Sequence, residues 1–137
     1  MKTIGLDLGD KWTGIALSDG LGLFARPYAT VAAHDLEKEL EIISSKEKIF
    51  SVVVGLPTTM RGTQSDQTRK VLAEKEKLEK KFPQFLWHTW DERLTSKQAD
   101  KLKNPKTKED KLRAHSVAAA FILQSYLDYK SLQQKAL

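Results

Sequence analysis

Residues 4–19 read IGLDLGDKWTGIALSD, which predicts two antiparallel strands joined by a tight turn. Side chains alternate along a strand, so one face of the first strand is isoleucine and leucine, while the other carries Asp7 between Gly5 and Gly9. A glycine within a strand costs packing and backbone entropy. Two glycines beside one carboxylate therefore predict that something bulky approaches the backbone there, and a phosphate group or a hydrated metal ion would suit.

The pattern beyond this hairpin predicts a mixed α/β layer fold. Apolar and β-branched runs predict further strands, and apolar residues that recur with a helical period predict helices. The predicted strands cover about 23–31, 49–55 and 85–90, and the predicted helices cover about 36–48, 66–82 and 110–129, with a short helix capped by Thr95 or Ser96. Three antiparallel strands followed by parallel crossover strands, with helices on both faces of the sheet, form the order expected of ribonuclease H-like domains.

Length and composition indicate one domain over residues 1–137. Hydrophobic residues make up 40% of the chain and charged residues 30%, and no apolar run approaches the roughly 20 residues of a membrane span. The N-terminus lacks the pattern of a secretory signal, so the cytoplasm is the expected location. The chain has no cysteine, which excludes thiolate chemistry and leaves oxygen or imidazole as metal ligands.

The charge of the chain favours a polyanionic partner such as nucleic acid. The formal net charge is +5, and most of the excess lies in residues 97–113, where seven lysine or arginine residues face three acids. A solvated charged loop and a phosphate-contacting patch explain this segment equally well.

Two kinds of position could carry chemistry at the strand ends. Asp7 has no obvious structural partner in the local sequence, although an aspartate that binds a neighbouring loop is the alternative. Asp91 and Glu92 directly follow an apolar strand, at a place where α/β sheets bind ligands, and one of them could meet Asp7 across the sheet. The alternative for these two is that they are exposed acids capping the next turn, with Arg93 paired to one of them.

His115 lies on the apolar stripe of the last helix. A lone histidine in that position is more often a core residue than a ligand, but a helix packed on the sheet could bring its first turns near Asp7. Acids that converge on a glycine-lined floor suggest metal-assisted hydrolysis of a phosphodiester, in which two divalent ions about 3.5–4 Å apart activate water and neutralise the leaving oxygen. Carboxylates suit Mg²⁺, and an imidazole ligand would shift the preference toward Mn²⁺.

Four spaced motifs together resemble the YqgF-type family of pre-16S ribosomal RNA nucleases, which are also described as Holliday-junction-resolvase-like. The motifs are IGLDLGDKWTGIALSD, VVVGLPTTMRGTQSDQ, DERLTSKQA and HSVAAAFILQSYL, and they run over nearly the whole chain in the family's order. The resemblance implies a ribonuclease H-like fold and divalent-metal-dependent nuclease chemistry. It further implies a role in maturing the 5′ end of small-subunit ribosomal RNA, with junction DNA as an older suggestion.

The resemblance makes Asp7 the first metal-binding acid and favours Glu92 over Asp91 as the second. His115 stands where the family usually has aspartate, although related resolvase-like nucleases sometimes have histidine there. Trp12 replaces the family's usual arginine, and it could stack on a nucleobase instead of contacting phosphate. The candidates for nucleic-acid contact lie in the hairpin, in the loop before the second helix and after the last strand: Lys11, Trp12, Arg61, Gln64, Arg93 and Lys97.

Two other classes of function fit parts of the sequence. Actin-like and sugar-kinase-like ATPases share the opening Gly-x-Asp-x-Gly strand, but they need two such domains, which 137 residues cannot supply. A catalytically silent RNA-binding or ribosome-assembly factor would keep the fold and the basic segment. Under the nuclease and the binding hypotheses alike, the expected partner is nucleic acid, with no membrane and with the chain a monomer or a weak homodimer.

Overall fold

The computed structural model describes residues 1–57, 65–94 and 107–135, and its centre is a five-stranded sheet. In chain order the strands are β1 (Lys2–Asp7), β2 (Trp12–Ser18), β3 (Ala25–Ala32), β4 (Ile49–Leu56) and β5 (Leu86–Asp91). The helices are α1 (Leu36–Lys46), α2 (Asp66–Lys81) and α3 (Lys108–Lys135). Short 3-10 turns at Ala33–Asp35 and Glu92–Leu94 precede α1 and follow β5.

The strands lie in the order β3-β2-β1-β4-β5 across the sheet. β2 is antiparallel to both β1 and β3, whereas β4 is parallel to β1 and to β5. The predicted mixed α/β sheet, with antiparallel hairpins first and parallel crossovers afterwards, is therefore confirmed. Because β1, β4 and β5 run in one direction, their carboxyl ends meet at one edge of the sheet, where α/β folds bind ligands.

One face of the sheet packs against α1 and α2 and holds the larger core. Alternate apolar side chains of the strands point to this face, and the helices present a matching apolar stripe. The fully buried residues here are Ile4, Leu6, Ile15, Leu17, Val52 and Val54 from the sheet, and Leu36, Leu40, Ile43 and Leu78 from the helices. Each such side chain stabilises the fold by about 1.5–3 kcal/mol through burial.

Helix α3 covers the other face, which is built from small residues where the helix crosses it. A Cβ atom at Gly5 of β1 would lie 2.7 Å from the Cβ of Leu123, and one at Gly14 of β2 would overlap the carbonyl oxygen of His115. Glycines at these positions let the backbone of α3 approach the sheet more closely than any side chain would allow. The helices therefore lie on both faces, as predicted.

The glycines of the first strand have a different cause from the one predicted from the sequence. At Gly5 the bulky neighbour is α3, which contacts the strand directly. At Gly9 it is the backbone carbonyl of Trp12, because a Cβ there would lie 2.5 Å from that oxygen. A phosphate or metal ion is thus not needed to explain either residue.

Element boundaries moved in one important place. The last helix begins before the predicted residue 110 and runs past the predicted residue 129. It crosses the sheet from β3, where Leu112 accepts from the Thr30 hydroxyl, to β5, where Tyr126 contacts Trp90. The short helix predicted near Thr95 lies outside the described residues. Within the described ranges, no helix is both long and apolar enough to cross a membrane.

Candidate active site

Asp7 is the last residue of β1 and stands between two glycines of the neighbouring strands. It pairs directly with Gly14 of β2. On the other side, Leu6 pairs with Val54, which places Gly55 of β4 beside Asp7. Since Gly5 points toward α3, the alternation of β1 places the Asp7 side chain on that same face. The carboxylate therefore stands above a stretch of sheet that has no side chain on either side of it.

The Asp7 carboxylate is partly buried, and few groups offset the cost of removing its charge from water. Among the described residues, none donates a hydrogen bond to it or forms an ion pair with it. Burial raises its pKa above the ordinary aspartate value, and the nearby charge of His115 offsets part of that increase. A desolvated carboxylate without a donor is a group that a cation would stabilise.

His115 reaches this site through the close packing of α3 on β2. Its carbonyl oxygen lies directly over Gly14, the residue that pairs with Asp7, and the next residue, Ser116, is buried. The imidazole is partly exposed and close enough to Asp7 to act on its ionisation. The sequence left open whether His115 was a core residue or a neighbour of Asp7, and the structure makes it a neighbour.

Glu92 and Asp91 lie on different faces of the sheet. Trp87 of β5 packs against the core under α1 and α2, whereas Trp90 packs against Tyr126 of α3. By alternation, Asp91 points to the face opposite Asp7. Glu92 returns to the α3 face, where its Oε1 lies 3.2 Å from the position that a Cβ on Gly55 would occupy.

Asp91 is bonded to Arg93. Arg93 Nη2 lies 2.6 Å from Asp91 Oδ2, and Arg93 Nε contacts both carboxylate oxygens at 3.0 and 3.1 Å. The backbone N–H of Arg93 also donates to Asp91 Oδ1 at 2.9 Å. This pairing raises the pKa of Arg93 through the hydrogen bonds to Asp91, and it ties the two side chains together at the end of β5.

Glu92 has the most strongly shifted pKa among the described residues at this end of the sheet. Burial, the charge of Asp7 and the charge of Asp91, in that order, raise the pKa of Glu92 to about 7. Gly55 of β4 lies between Glu92 and Asp7, and its lack of a side chain leaves room for Ile122 of α3, whose Cδ1 would lie 2.5 Å from a Cβ there, and for Glu92 Oε1 at 3.2 Å. The two acids therefore repel each other across a glycine.

We expect Glu92→Gln to stabilise the metal-free protein at neutral pH and to leave its stability unchanged in acid. A carboxyl whose pKa rises on folding binds more protons in the folded state between its ordinary value of 4.5 and about 7, so the free energy of unfolding falls as pH rises through that window. The amide removes this loss. After allowance for partial exposure, the gain should be about 1–2 kcal/mol above pH 7 and near zero below pH 4.5.

Urea unfolding of both proteins in chelator, across that pH range, measures this difference. A gain that is equally large in acid would contradict the interpretation, because the cause would then be packing rather than charge.

The residues present fit a divalent cation by their chemistry. Two carboxylates that lack protein donors and one imidazole form the oxygen-rich set that Mg²⁺ or Mn²⁺ accepts. Within the described ranges, no three aspartate, glutamate or histidine side chains already surround one point. Asp7, Glu92 and His115 are neighbours whose ligating atoms would have to turn toward an ion.

Comparison with known proteins places the chain in a family. Residues 1–129 match the RuvX family model, described as "Holliday junction resolvase". The chain belongs to the RuvX family. Two relatives bear the name "Putative pre-16S rRNA nuclease": one from Rubrobacter xylanophilus is 37% identical over 93% of this chain and 92% of its own length, and one from Clostridium botulinum is 40% identical over 93% and 97%.

Solved structures agree with the fold of this RuvX-family chain. RuvC of Thermus thermophilus in complex with a Holliday junction substrate superposes with a TM-score of 0.61 at 15% identity, and it covers 96% of both chains. A second structure of the same protein gives a TM-score of 0.54 at 13% identity, covering 95% of this chain and 97% of its own. The predicted ribonuclease H-like fold and the predicted family are both confirmed.

The candidates for nucleic-acid contact in this RuvX-family chain have different positions. Lys11 is exposed in the β1–β2 turn, and Trp12 is partly exposed on the strand face that carries Gly14, the partner of Asp7. Arg93 is bonded to Asp91 as described above. Three further candidates lie outside the described residues: Arg61, Gln64 and Lys97.

A cleft of about 510 Å³ opens on the other face of the sheet. It lies between the end of β1 and α2, and its walls include Leu8, Thr13, Lys70 and Lys77. Leu8 and Thr13 belong to the α1 and α2 face, so this cleft does not contain the Asp7 and Glu92 carboxylates. We therefore assign the candidate site by its acids and not by the size of the cavity.

Sequence reasoning did not recognise two residues that shape the site. They are Gly14, in the first hairpin, and Gly55, just before a loop, and as single glycines they do not indicate a functional site. A signal was nevertheless available, because each occurs in a predicted strand near its carboxyl or amino end, where a missing side chain clears space for a neighbour. The neighbour that occupies this space depends on strand register, and the sequence alone does not give that register.

Proposed function

We propose that this chain is a divalent-metal-dependent nuclease that hydrolyses phosphodiester bonds and acts in the 5′-end maturation of pre-16S ribosomal RNA. One observation carries the proposal. Asp7 and Glu92 stand on one face at the ends of β1 and β5, both with a raised pKa, and no described residue supplies a positively charged partner to Asp7 other than the imidazole of His115. Such carboxylates hold metal ions in phosphodiester hydrolysis.

Three residues of the site would act as metal ligands. Asp7 and Glu92 would hold the cation from two strands, and His115 would add a nitrogen ligand that favours Mn²⁺ over Mg²⁺. When bound, the cation supplies a water of lowered pKa and neutralises charge on the leaving oxygen. Glu92 has to lose its proton before it can ligate, so we expect metal affinity to weaken as pH falls below about 7.

The pre-16S precursor is the favoured substrate because of sequence similarity. The relatives that match at 37–40% identity over most of their length carry that name, whereas RuvC with its Holliday junction shares only 15% identity. Junction DNA is the second candidate, supported by the description of the family model. We place the activity in the cytoplasm, where the precursor is made.

Cleavage of a pre-16S 5′ leader by the purified chain tests this proposal. We expect products with Mn²⁺ or Mg²⁺ and none in chelator, because Asp7 and Glu92 contribute no chemistry without a cation. The rate in Mn²⁺ should exceed that in Mg²⁺, and the His115→Asp variant should reduce this preference, since the imidazole is replaced by an oxygen ligand.

A four-way DNA junction serves as the second substrate in the same assay. Preferential cutting of the junction would favour the resolvase alternative. Tight, salt-sensitive RNA binding with no product in either metal would instead support a non-catalytic assembly factor.

A further inference from the structure

A cluster of aromatic rings stands at the β5 edge of the sheet, on the face of the candidate site. The Trp90 and Tyr129 ring centroids are 5.2 Å apart at an angle of 46°, and Trp90 meets Tyr126 edge-on at 5.7 Å. His88 stacks on the other side of Tyr126, with 5.5 Å between centroids. We call the outer pair, Trp90 and Tyr129, the aromatic platform.

Both rings of the aromatic platform are at least partly exposed, and each makes a side-chain hydrogen bond. Tyr126 is buried beneath it, but Tyr129 is 46% exposed. Trp90 Nε1 donates to Ser125 Oγ at 3.1 Å, and Gln133 Nε2 donates to the Tyr129 hydroxyl at 2.6 Å. Rings fixed by such hydrogen bonds lose little further entropy when a planar ligand stacks on them.

The position of the aromatic platform connects it with the acids. Trp90 of β5 pairs with Gly55 of β4, and both Glu92 Oε1 and the Ile122 side chain lie over Gly55. β5 is an edge strand, so among the residues that the structure describes no further strand pairs with it on that side. A nucleic-acid strand bound at the carboxylates can therefore continue past Trp90 without crossing another element of the sheet.

The charge beside the aromatic platform suits a nucleic-acid backbone. Lys130 Nζ stands 5.6 Å from the centre of the Tyr126 ring, next to Tyr129 in the helix. The nearest acid along the helix, Asp128, accepts from Gln124 Nε2 at 3.0 Å, and Gln124 itself contacts Leu23 near β3. Asp128 thus lies on the opposite side of α3, whereas Lys130 lies on the side of the aromatic platform.

We propose that the aromatic platform stacks an unpaired nucleobase of the substrate strand, next to the phosphodiester that the carboxylates address. The proposal rests on the proposed nuclease function of the site. Stacking tolerates any base because each presents a planar π-face, so the platform selects single-stranded segments rather than a sequence. Lys130 contributes charge attraction to the adjoining phosphate.

Binding in the absence of metal tests the proposal without requiring turnover. Fluorescence anisotropy with a short labelled RNA, in chelator, compares the full chain with Tyr129→Ala and Trp90→Ala. Each truncation should weaken binding to the single strand about 5- to 50-fold. Tyr129→Phe and Trp90→Phe keep a ring and should bind within about twofold of wild type, which separates stacking from a loss of fold.

Three comparisons decide the result. A duplex of the same sequence offers no free base, so its affinity should not change, and single-stranded DNA should lose affinity as RNA does. Phe24→Ala removes an aromatic ring that is 68% exposed in the distant β2–β3 loop and should leave binding unchanged. Wild-type affinity in Tyr129→Ala, an equal loss with duplex, or an equal loss in Phe24→Ala would overturn the proposal.

Cleavage kinetics separate this proposal from the proposed function. If the chain is a nuclease with this platform, Tyr129→Ala should raise KM several-fold with kcat nearly unchanged. Wild-type protein that cleaves nothing, but loses single-strand affinity in Tyr129→Ala, would refute the nuclease and keep the platform. Normal KM in Tyr129→Ala with active wild-type protein would refute the platform alone.

Discussion

Replacing Asp7 with asparagine is expected to lower the rate of phosphodiester cleavage more than about 100-fold, since the loss of even an outer-shell partner of a metal site costs 10–100-fold. The amide has the same shape but no charge, so it binds a divalent cation poorly while filling the same space between Gly14 and Gly55. Cleavage of the pre-16S leader under saturating Mn²⁺ is the measurement.

The stability of Asp7→Asn should move in the opposite direction to its activity. Because burial raises the pKa of Asp7, its charged form destabilises the metal-free fold, and the free energy of unfolding is lost as pH rises from the ordinary aspartate range through the raised value. The variant escapes this loss, so its melting temperature in chelator at neutral pH should equal or exceed that of wild type. In excess Mn²⁺ only wild type should gain stability.

Asp10→Asn is the matched control for Asp7→Asn. Asp10 lies in the same hairpin, but its side chain is 71% exposed and stands 3.9 Å from Lys70 on the surface. Its neutralisation should leave cleavage within about twofold and stability within about 0.5 kcal/mol. If Asp7→Asn cleaved as fast as Asp10→Asn, the assignment of the active site to the end of β1 would be wrong.

Replacing Gly14 with alanine is expected to have the largest effect on the fold, a loss of at least about 3 kcal/mol or complete unfolding. The new Cβ would overlap the carbonyl oxygen of His115 and lie 2.8 Å from the backbone nitrogen of Ser116. Both atoms belong to the backbone of α3, so no side chain can rotate away, and the whole first half of the helix has to shift. Urea unfolding monitored by circular dichroism measures the loss.

Gly20→Ala provides the corresponding control. Gly20 lies in the turn after β2, and a Cβ there would have no neighbour within 4 Å. Its substitution should change stability by about 0.5 kcal/mol or less. If any Gly14→Ala protein remains folded, its Mn²⁺ affinity should still fall, because the displaced helix carries His115 away from Asp7. Equal stability of the two variants would show that α3 does not rest on Gly14.

Local patterns predicted much of the fold and the presence of acids at the ends of two strands. Strict alternation around Asp7 placed the carboxylate on one face of a strand, and the β-branched run at 49–55 predicted a buried central strand, because both depend only on neighbours along the chain. The preference for Glu92 over Asp91 came from the family resemblance, and it remains a prediction. The structure gives it a physical basis, since one step along β5 reverses the face of the sheet.

The neighbours of Gly5 and Gly9 could not be predicted from the local sequence. Gly5 and Gly9 predicted a ligand beside Asp7. In the structure, Gly5 makes room for α3, and Gly9 makes room for the Trp12 carbonyl in the turn. A missing side chain shows that space is needed but not what fills it. The atoms next to Gly5 belong to Ala119 and Leu123, more than a hundred positions along the chain, so no local pattern predicts them.

Sequence patterns alone predicted the five strands and the three α-helices of the described residues, the family, and a carboxylate at the end of the first strand. The groups around that carboxylate become visible only in three dimensions: His115 from α3, Glu92 beyond Gly55, and the aromatic platform next to it. The reason is physical. Element type follows from periodicities of a few residues, whereas the site depends on the register of parallel strands and on how closely α3 can approach the sheet.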